Sequence, residues 1–431
     1  MANVENLGTL ERRVSMALAA DEIERKIDER LKQLARNVRM PGFRPGKVPL
    51  KLVAQTYGSQ VRSEVLSDAV QKSFTDAVKE ANLKVAGYPR IEKAKDKDLE
   101  FSATFEIYPE VKVGDLSGAS IERPSLEVDD TAVDKTIEIL RKQRTRFEPV
   151  QRAARDGDRI VVDFKGSIDG QPFAGSEAND YAFMLGEGRM LPEFEAAARG
   201  MAPGEQKTFE LGFPDDYHGK EVAGKKASFA MTLKKVDEPC VPELDAEFAK
   251  SLGVADGDTA KMRAEVRANV EREVKKRVEA RVKEQALNAL LAATPLEIPK
   301  SLVAMEASGM AERAMGDLKA RGLDPQKVPI NPQAFEETAK RRVALGLIVA
   351  ELARAESLQP KPAEVRALVE QEAQSYESPA EVVKWFYMQP QRLSEMEALA
   401  LETNVVKWVL TKAKVGDKQV SFDELMGGAA A

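Results

Sequence analysis

The spacing of apolar residues predicts two long helices in the first 112 residues of the chain. Apolar residues recur every three or four positions over 23–38 and again over 61–74, which is the spacing of one helix face. Asp21, with Glu24 three residues later, is expected to cap the first of these helices. The segments in which the pattern favours strands are 7–19, 84–91 and 99–111.

From residue 156 the pattern changes to short alternating stretches between glycine-rich turns. β-Branched and aromatic residues alternate with polar ones as far as Val236, which is typical of strands with one buried face. One short helix is expected near 192–199. The pattern predicts a compact, mostly β domain that ends before the segment 238–242, where two prolines mark a boundary.

The C-terminal half is predicted to be almost entirely helical. A stripe of apolar residues spaced four apart runs from Met262 to Val282, on a helix otherwise rich in charged residues. Because four residues exceed one helical turn of about 3.6, the stripe is expected to wind around the helix as a narrow seam. Prolines within 325–332 and 360–362 divide the later helices.

Composition and charge limit the classes of function. With 431 residues, 32% of them charged and 6% aromatic, the chain suits several helix-rich domains. A net charge of −6 argues against general binding of nucleic acid, and no DNA partner is expected, so a contact with a polyanion must be local. The single cysteine, Cys240, excludes an intramolecular disulfide framework. The single histidine, His218, cannot form a metal pair and no phosphate-binding loop motif is present, so neither a metal nor a cofactor is expected.

The most specific motif is the loop 42–49, which reads Gly-Phe-Arg-Pro-Gly-Lys-Val-Pro. Its glycines permit unusual backbone angles while its prolines restrict flexibility. Every ionisable residue from Arg30 to Lys51 is basic. The pattern predicts a local contact with a polyanion, with Phe43 touching a protein surface. The alternative is a solvated loop between two helices, with Phe43 folded into a small core.

This loop resembles the ribosome-docking signature of the trigger factor family, bacterial chaperones that sit at the exit of the ribosomal tunnel. The resemblance extends over essentially the whole chain. It implies that the loop contacts a large-subunit protein and rRNA beside the exit. Family members often carry Lys where this chain has Pro45, which removes one cation from the tip. The docking residues implied by the resemblance are Gly42, Phe43, Arg44, Pro45, Gly46 and Lys47.

The segment 161–229 resembles FKBP-type peptidyl-prolyl isomerases. The resemblance implies an aromatic pocket that strips water from an X–Pro amide, with the Leu191 N–H holding the substrate carbonyl and two residues at the rim. Many members carry an acid where this chain has Ala174 and a Trp where it has Phe194. These two differences are expected to affect the catalytic efficiency more than the fold. Alternatively, the aromatic residues form only the core of a small β domain. The pocket residues implied by the resemblance are Phe164, Phe173, Phe183, Met190, Leu191, Phe194, Tyr217, His218 and Phe229.

Together these patterns predict an elongated α+β multidomain protein. Its expected segments are an α/β ribosome-docking domain (1–112), a connector (113–150), an FKBP-like β domain with one short helix (151–238) and a mostly helical substrate-binding domain (239–431). The family resemblance implies that the helical half forms the body and two arms of a cradle. Flexible methionines there, such as Met305, Met310 and Met315, suit the binding of unrelated polypeptides.

The function expected from these features is an ATP-independent chaperone that holds nascent and unfolded polypeptides and isomerises X–Pro bonds. The alternatives are a free-standing cytosolic prolyl isomerase with a helical recruiting region and an RNA-binding assembly factor. Neither a signal peptide nor an apolar run of about 20 residues is visible, so a cytoplasmic location without a membrane partner is expected and a periplasmic chaperone is not. The resemblance further implies a homodimer off the ribosome and a connection with the cell cycle and cell division.

Overall fold

The computed structural model describes residues 3–41, 43, 48–94, 99–173, 175–215, 217, 219–324, 330–374, 376 and 378–427. The chain divides into two compact units. The first unit consists of 1–123 and 280–418, and the second of 124–279 and 419–431. Each unit is therefore built from segments that lie far apart in the sequence.

Helices dominate the C-terminal half, as the apolar spacing predicts. The helices of the described residues are α1 (Ala20–Asn37), α2 (Leu50–Glu80), α3 (Asp130–Gln143), α4 (Pro192–Ala198), α5 (Ala246–Ser251), α6 (Thr259–Ala293), α7 (Lys300–Ala320), α8 (Glu336–Ala355), α9 (Pro362–Ala373), α10 (Pro379–Met388), α11 (Pro390–Lys412) and α12 (Phe422–Met426). The strands are β1 (Asn3–Asn6), β2 (Glu11–Ala17), β3 (Val85–Lys93), β4 (Glu100–Ile107), β5 (Ser120–Ser125), β6 (Arg146–Val150), β7 (Arg159–Ser167), β8 (Glu177–Met184), β9 (Gln206–Gly212), β10 (Lys226–Cys240) and β11 (Lys414–Gln419). Among the described helices, none is both long and apolar enough to cross a membrane.

The N-terminal part of the first unit is an antiparallel sheet with two helices. Its strands lie in the order β1-β2-β4-β3, with Glu11 opposite Glu106 where β2 meets β4. The long helix α2 packs on this sheet, and Phe74 meets Phe105 edge to face with ring centroids 5.2 Å apart. A second core lies between α1 and α2, which form a helical hairpin.

Two details of the predicted N-terminal elements are wrong. Helix α1 begins at Ala20 with Ala19 at the capping position, and no side chain caps its end. Asp21 lies inside the first turn, where its negative charge interacts favourably with the helix dipole. Because it follows the N-cap residue by two positions, its side chain does not cap the helix. The strand expected over 7–19 is confined to Glu11–Ala17, because residues 7–10 form the turn of a hairpin between β1 and β2.

In the helical part of the first unit, three helices begin at a proline. Pro362, Pro379 and Pro390 each occupy the first turn of their helix, where the missing N–H costs nothing. The predicted division of these helices by proline is therefore confirmed at 360–362, whereas residues 325–329 lie outside the described residues. Helix α7 packs against α8 and against strand β3 of the sheet.

The second unit contains a five-stranded antiparallel sheet. Its strands lie in the order β6-β10-β7-β8, and β9 pairs with β10. Strand β10 continues beyond Val236, where the pattern of the sequence ends, because Val236–Cys240 pairs with Arg146–Val150. The strand β6 that it pairs with lies in the segment expected to be a connector. Helix α4 packs near β9 on the sheet, and together they enclose an aromatic core.

The predicted apolar stripe of α6 is buried except at Val278, which is half-buried. Met262, Val266, Val270 and Val274 are all less than a tenth exposed. They pack against α3, α5 and α12, through residues such as Ile137, Phe248 and Leu425. These four residues therefore belong to the core of the remainder of the second unit.

Candidate functional site

A cavity of about 940 Å³ opens into the aromatic core of the second unit. Its volume lies at the upper end of the range for small-molecule and peptide-side-chain sites. Most of its lining is apolar or aromatic, which is the environment that the resemblance to prolyl isomerases implies. The predicted residues that line it are Phe164, Phe173, Met190, Leu191, Phe194, Tyr217 and Phe229.

The rings of the cavity hold one another by edge-to-face contacts. Phe194 meets Phe164 with centroids 5.2 Å apart and Phe229 at 5.9 Å, in both cases nearly perpendicular. Phe173 meets Phe229 at 6.1 Å in the same way. These geometries place the positive edge of one ring against the negative face of the next, which stabilises each pair by about 0.5–1.5 kcal/mol beyond burial. The cavity wall is therefore a set of mutually packed rings.

Leu191 joins the cavity to the helix behind it. It is the N-cap residue of α4, and its carbonyl oxygen accepts hydrogen bonds from the N–H groups of Phe194 and Glu195, at 2.9 and 3.1 Å. Among the described residues, no acceptor hydrogen-bonds to the Leu191 N–H. A backbone donor at the edge of an apolar cavity, without a partner of its own, can take the carbonyl oxygen of a bound peptide.

The structure does not place every predicted residue at the cavity. Phe183 is buried behind the lining, where its ring packs on Phe194 at 6.0 Å. His218 and Ala174 lie outside the described residues. Tyr217 lines the cavity, with its ring 4.9 Å from that of Phe213.

Three residues near the cavity were missed in the sequence. Phe213 lines it beside Phe173, and the exposed Tyr181 meets Phe164 edge to face at 5.9 Å. Glu195 is a buried acid in the lining. The alternation along β8 places Tyr181 and Phe183 on the same face, so it could have suggested Tyr181. Nothing in the pattern distinguishes Glu195 from a solvated charge.

One acid beside the cavity carries a shifted pKa. Asp158, at the turn before β7, is buried, which alone would raise its pKa. The Arg152 guanidinium hydrogen-bonds both of its oxygens, at 2.7 and 2.9 Å, and the Arg155 N–H donates at 2.9 Å. These donors outweigh burial and hold the pKa of Asp158 below its ordinary value. The pair anchors β7 and is not part of the cavity lining.

The loop of the helical hairpin in the first unit is described only in part. Phe43 is 39% exposed, so it is not folded into a core, whereas Val48 is buried between α1 and α2. Leu50 and Leu52 at the start of α2 are also exposed. The remaining residues predicted to dock, which lie outside the described residues, are Gly42, Arg44, Pro45, Gly46 and Lys47.

The cations flanking that loop are mostly exposed. Arg36, Arg39 and Lys51 lie at the surface, while Arg30 forms an ion pair with Glu64 at 2.5 Å. In the described part of the chain, no group of three or more His, Cys, Asp or Glu side chains could hold a metal ion. The exposed chemistry at this end of the hairpin is therefore cationic and apolar.

In the helical part, the structure separates exposed apolar residues from packing residues. Met305 and Met315 of α7 are exposed, and Met388, at the end of α10, is 80% exposed. Ile348 and Phe386, from the same predicted apolar faces, are buried. Trp385 is exposed beside Arg392, whose guanidinium carbon lies 4.1 Å from the ring centroid.

Three family models match the chain. The model of the bacterial trigger factor protein matches residues 1–140, and that of the trigger factor C-terminus matches 258–411. The model of the FKBP-type peptidyl-prolyl cis-trans isomerase matches 150–234. The third match contains the whole cavity described above.

Curated relatives match over the full length. The trigger factor of Aromatoleum aromaticum is 56% identical over 99% of both chains, and that of Paraburkholderia phymatum is 54% identical over 100% of both. A solved structure entitled "Promiscuous Substrate Recognition in Folding and Assembly Activities of the Trigger Factor Chaperone" is 21% identical, covers 95% of this chain and 99% of its own, and superposes with a TM-score of 0.46. The assignment rests on the sequence matches. The chain belongs to the trigger factor family of chaperones and carries an FKBP-type peptidyl-prolyl cis-trans isomerase domain.

Proposed function

We propose that the aromatic cavity is the site at which this chaperone isomerises X–Pro bonds. The observation that carries the proposal is that the Leu191 N–H, which has no acceptor among the described residues, belongs to the lining of an aromatic cavity. Rotation about an X–Pro bond must overcome amide resonance, with a barrier of about 18–20 kcal/mol in ordinary peptides. The twisted amide has less charge separation than the planar one, so removal of water favours it.

Two kinds of groups in the cavity lining contribute to the isomerisation. The rings of Phe164, Phe194 and Phe229 take the proline and exclude water from the amide. The Leu191 N–H holds the carbonyl oxygen of the residue before proline while the amide nitrogen loses conjugation. No proton or electron pair leaves the substrate, so no nucleophile and no metal are needed for this reaction.

The test is a comparison of two phenylalanines. Phe173 lines the cavity, whereas Phe209 packs against the same aromatic core but does not line the cavity. We expect Phe173→Ala to lower kcat/KM for a proline-containing peptide about tenfold, since a ring of the wall is lost. Phe209→Ala should keep most of the activity at a similar loss of stability. Equal kcat/KM values in the two variants would contradict the assignment of the site.

We also propose that the loop 42–49 docks the protein on the ribosome, at a large-subunit protein and rRNA beside the tunnel exit. The proposal is supported by the exposure of Phe43, by the exposed cations Arg36, Arg39 and Lys51, and by the family assignment. An exposed aromatic side chain between cations suits a surface made of protein and nucleic acid.

Co-sedimentation with purified 70S ribosomes tests the docking site. Phe43→Ala/Arg44→Ala should abolish pelleting, whereas Tyr88→Ala should pellet like the unmodified protein. Tyr88 is the control because it is an exposed aromatic of the same sheet-and-helix part, on β3. Equal pelleting of all three proteins would place the docking surface elsewhere.

For nascent and unfolded polypeptides, we propose the exposed apolar side chains of the helical part as the binding surface. Methionine adapts its shape at little cost, and Met305, Met315 and Met388 are all exposed. Replacing all three with Ser should weaken the suppression of aggregation of an unfolded client. The same replacement at the less exposed Met310 is the control.

We propose that the expected segments 1–112, 113–150, 151–238 and 239–431 act as docking domain, connector, isomerase domain and chaperone domain in the cytoplasm. A homodimer off the ribosome and a connection with cell division belong to the same proposal, which the family assignment favours. Analytical ultracentrifugation over a concentration series tests the dimer, and a constant molar mass of one chain would contradict it.

A further inference from the structure

Glu195 is a buried acid whose carboxylate binds the loop in front of it. The residue is only 6% exposed and lies in the first turns of α4. One carboxylate oxygen accepts a hydrogen bond from the Gly186 N–H at 3.2 Å, and the other accepts one from the Met190 N–H at 3.4 Å. Acids are almost never buried unless they are paired or hydrogen-bonded, so these two donors account for its burial.

The two donors belong to a loop that contains two glycines. Gly186 and Gly188 have φ angles of +91° and +70°, in the region that favours glycine. Glycine leaves the backbone of such a loop many alternative conformations. Hydrogen bonds from both ends of the loop to one buried carboxylate favour one of these conformations.

Glu195 also acts on the other side of the Met190–Leu191 peptide. Its own N–H donates to the Leu191 carbonyl oxygen at 3.1 Å, while its side chain accepts from the Met190 N–H. The peptide that carries the Leu191 N–H therefore lies between two hydrogen bonds made by one residue. Since a planar peptide can turn only through the dihedral angles on either side of it, these bonds fix the direction of that N–H.

We propose that Glu195 is a positioning residue for prolyl isomerisation, because it holds the Leu191 N–H in the direction needed for the substrate carbonyl. The inference rests on the proposal that this cavity is the site of isomerisation. Glu195 acts through the loop and not on the substrate. A carboxylate suits the role because both of its oxygens accept, whereas an amide would turn a donor toward one of the two N–H groups.

The matched variants are Glu195→Gln and Glu193→Gln. Glu193 is an exposed acid two residues earlier in the same helix, so its substitution removes the same charge from the same end of α4. In the full-length protein we expect Glu195→Gln to lower kcat/KM about tenfold, which is the effect of one lost charge-assisted hydrogen bond. Glu193→Gln should keep the activity of the unmodified protein.

Hydrogen–deuterium exchange by mass spectrometry distinguishes a local change in this loop from a general loss of stability of the domain. In Glu195→Gln, peptides covering 186–191 should exchange faster, while those from β7 and β10 should be unchanged. Faster exchange throughout the sheet would overturn the inference, as would a kcat/KM equal to that of Glu193→Gln. If both Phe173→Ala and Glu195→Gln kept full kcat/KM, the cavity would not be the site of isomerisation and the inference would fail with that proposal. If only Phe173→Ala lost kcat/KM, the site would stand and only the role of Glu195 would be overturned.

Discussion

Gly166 leaves the space that the ring of Phe229 occupies in the cavity wall. A Cβ atom at this position would lie 2.5 Å from Cε1 and 2.7 Å from Cζ of Phe229. Gly166 lies in β7 opposite Phe229 of β10, so the backbone cannot move away without breaking the ladder. The glycine is therefore required by close packing and not by its φ angle.

We predict that Gly166→Ala lowers both the stability of the isomerase domain and its kcat/KM. Displacing a packed ring costs about 1–3 kcal/mol, and the displaced ring belongs to the cavity wall. Gly212→Ala in β9 is the control, because a Cβ atom there meets nothing within 4 Å. Thermal unfolding and a peptide isomerisation assay measure the two effects. Equal behaviour of the two variants would contradict the packing argument.

Asp158 gives the domain a dependence on pH. Its pKa is lowered in the folded state, because the donors from Arg152 and Arg155 outweigh burial. A carboxyl group with a lowered pKa stabilises the fold at pH values above its ordinary pKa, about 4, and loses that contribution as pH falls through the folded value. The contribution is therefore complete at neutral pH and disappears only in acid.

We predict that Asp158→Asn destabilises the protein by about 2 kcal/mol at pH 7 and makes its stability less dependent on pH below 4. The comparison is the loss of melting temperature between pH 7 and pH 3, which should be smaller in the variant. Asp169→Asn is the control, since Asp169 is exposed and asparagine tolerates its φ of 50°. A loss as large as that of the unmodified protein would contradict the role of Asp158.

The sequence predicted most of the aromatic residues that line the cavity but not the buried acid among them. Phe164, Phe173 and Phe229 follow from the order of motifs, because the isomerase resemblance assigns them positions. Glu195 could not be predicted, since a charged residue in a helix is normally solvated and only the packing of the loop shows it buried. Phe183 was expected in the pocket, but its strand directs it into the core behind Phe194.

At the scale of elements, the start of α7 depends on a strand from the other end of the unit. Pro299 is its N-cap residue and provides no side-chain cap. Instead the carboxylate of Glu106 in β4 accepts hydrogen bonds from the N–H groups of Lys300 and Ser301, at 3.0 and 2.7 Å. Burial alone would raise the pKa of Glu106, but the hydrogen bonds from Ser301 and Lys300 lower it. The helix is therefore capped by a tertiary contact.

We predict that Glu106→Gln destabilises the first unit by about 1–2 kcal/mol at neutral pH, as loss of a helix cap does. Since the pKa of Glu106 is lowered, the difference from the unmodified protein should shrink as pH falls below about 4. Glu92→Gln, on the neighbouring strand β3 and exposed, is the control. Chemical denaturation at pH 7 and pH 3.5 gives the comparison. An equal effect of both substitutions would contradict the cap.

The type of an element could be predicted where its apolar pattern was long, but the residues at which the elements begin and end could not. The stripe of α6 and the prolines that begin α9 to α11 are local features, so they could be read directly. The extension of β10 to Cys240 depends on a partner strand, Arg146–Val150, which lies far away in the sequence. A strand without strong alternation is formed only because that partner satisfies its backbone groups.

At the scale of the whole molecule, a net charge of −6 argues that any attraction to RNA is local. The basic stretch from Arg30 to Lys51 is the site of that attraction under the docking proposal. Release of counterions from about four phosphates would give a slope of about −3 for log K against log salt concentration. The moderate slope would distinguish local docking from general binding of nucleic acid.

We predict that Arg39→Gln reduces the magnitude of this salt slope by about 1 and weakens ribosome binding at every salt concentration. Lys112→Gln should change neither, since Lys112 is an exposed lysine outside the basic stretch. Ribosome pelleting over a series of salt concentrations measures both slopes. Parallel slopes for all three proteins would show that Arg39 does not contact a phosphate.

The sequence by itself determined the family, the kinds of elements and most of the aromatic cavity, because each depends on local order: motif spacing, apolar periodicity and the positions of proline and glycine. Only the tertiary structure decided that residues 1–123 and 280–418 form one compact unit, and that Glu106 caps α7 within it. It also decided that Glu195 is buried beneath the loop that carries Leu191. These features depend on contacts between distant segments, and the pattern of a single segment does not show which distant side chain will satisfy its backbone groups.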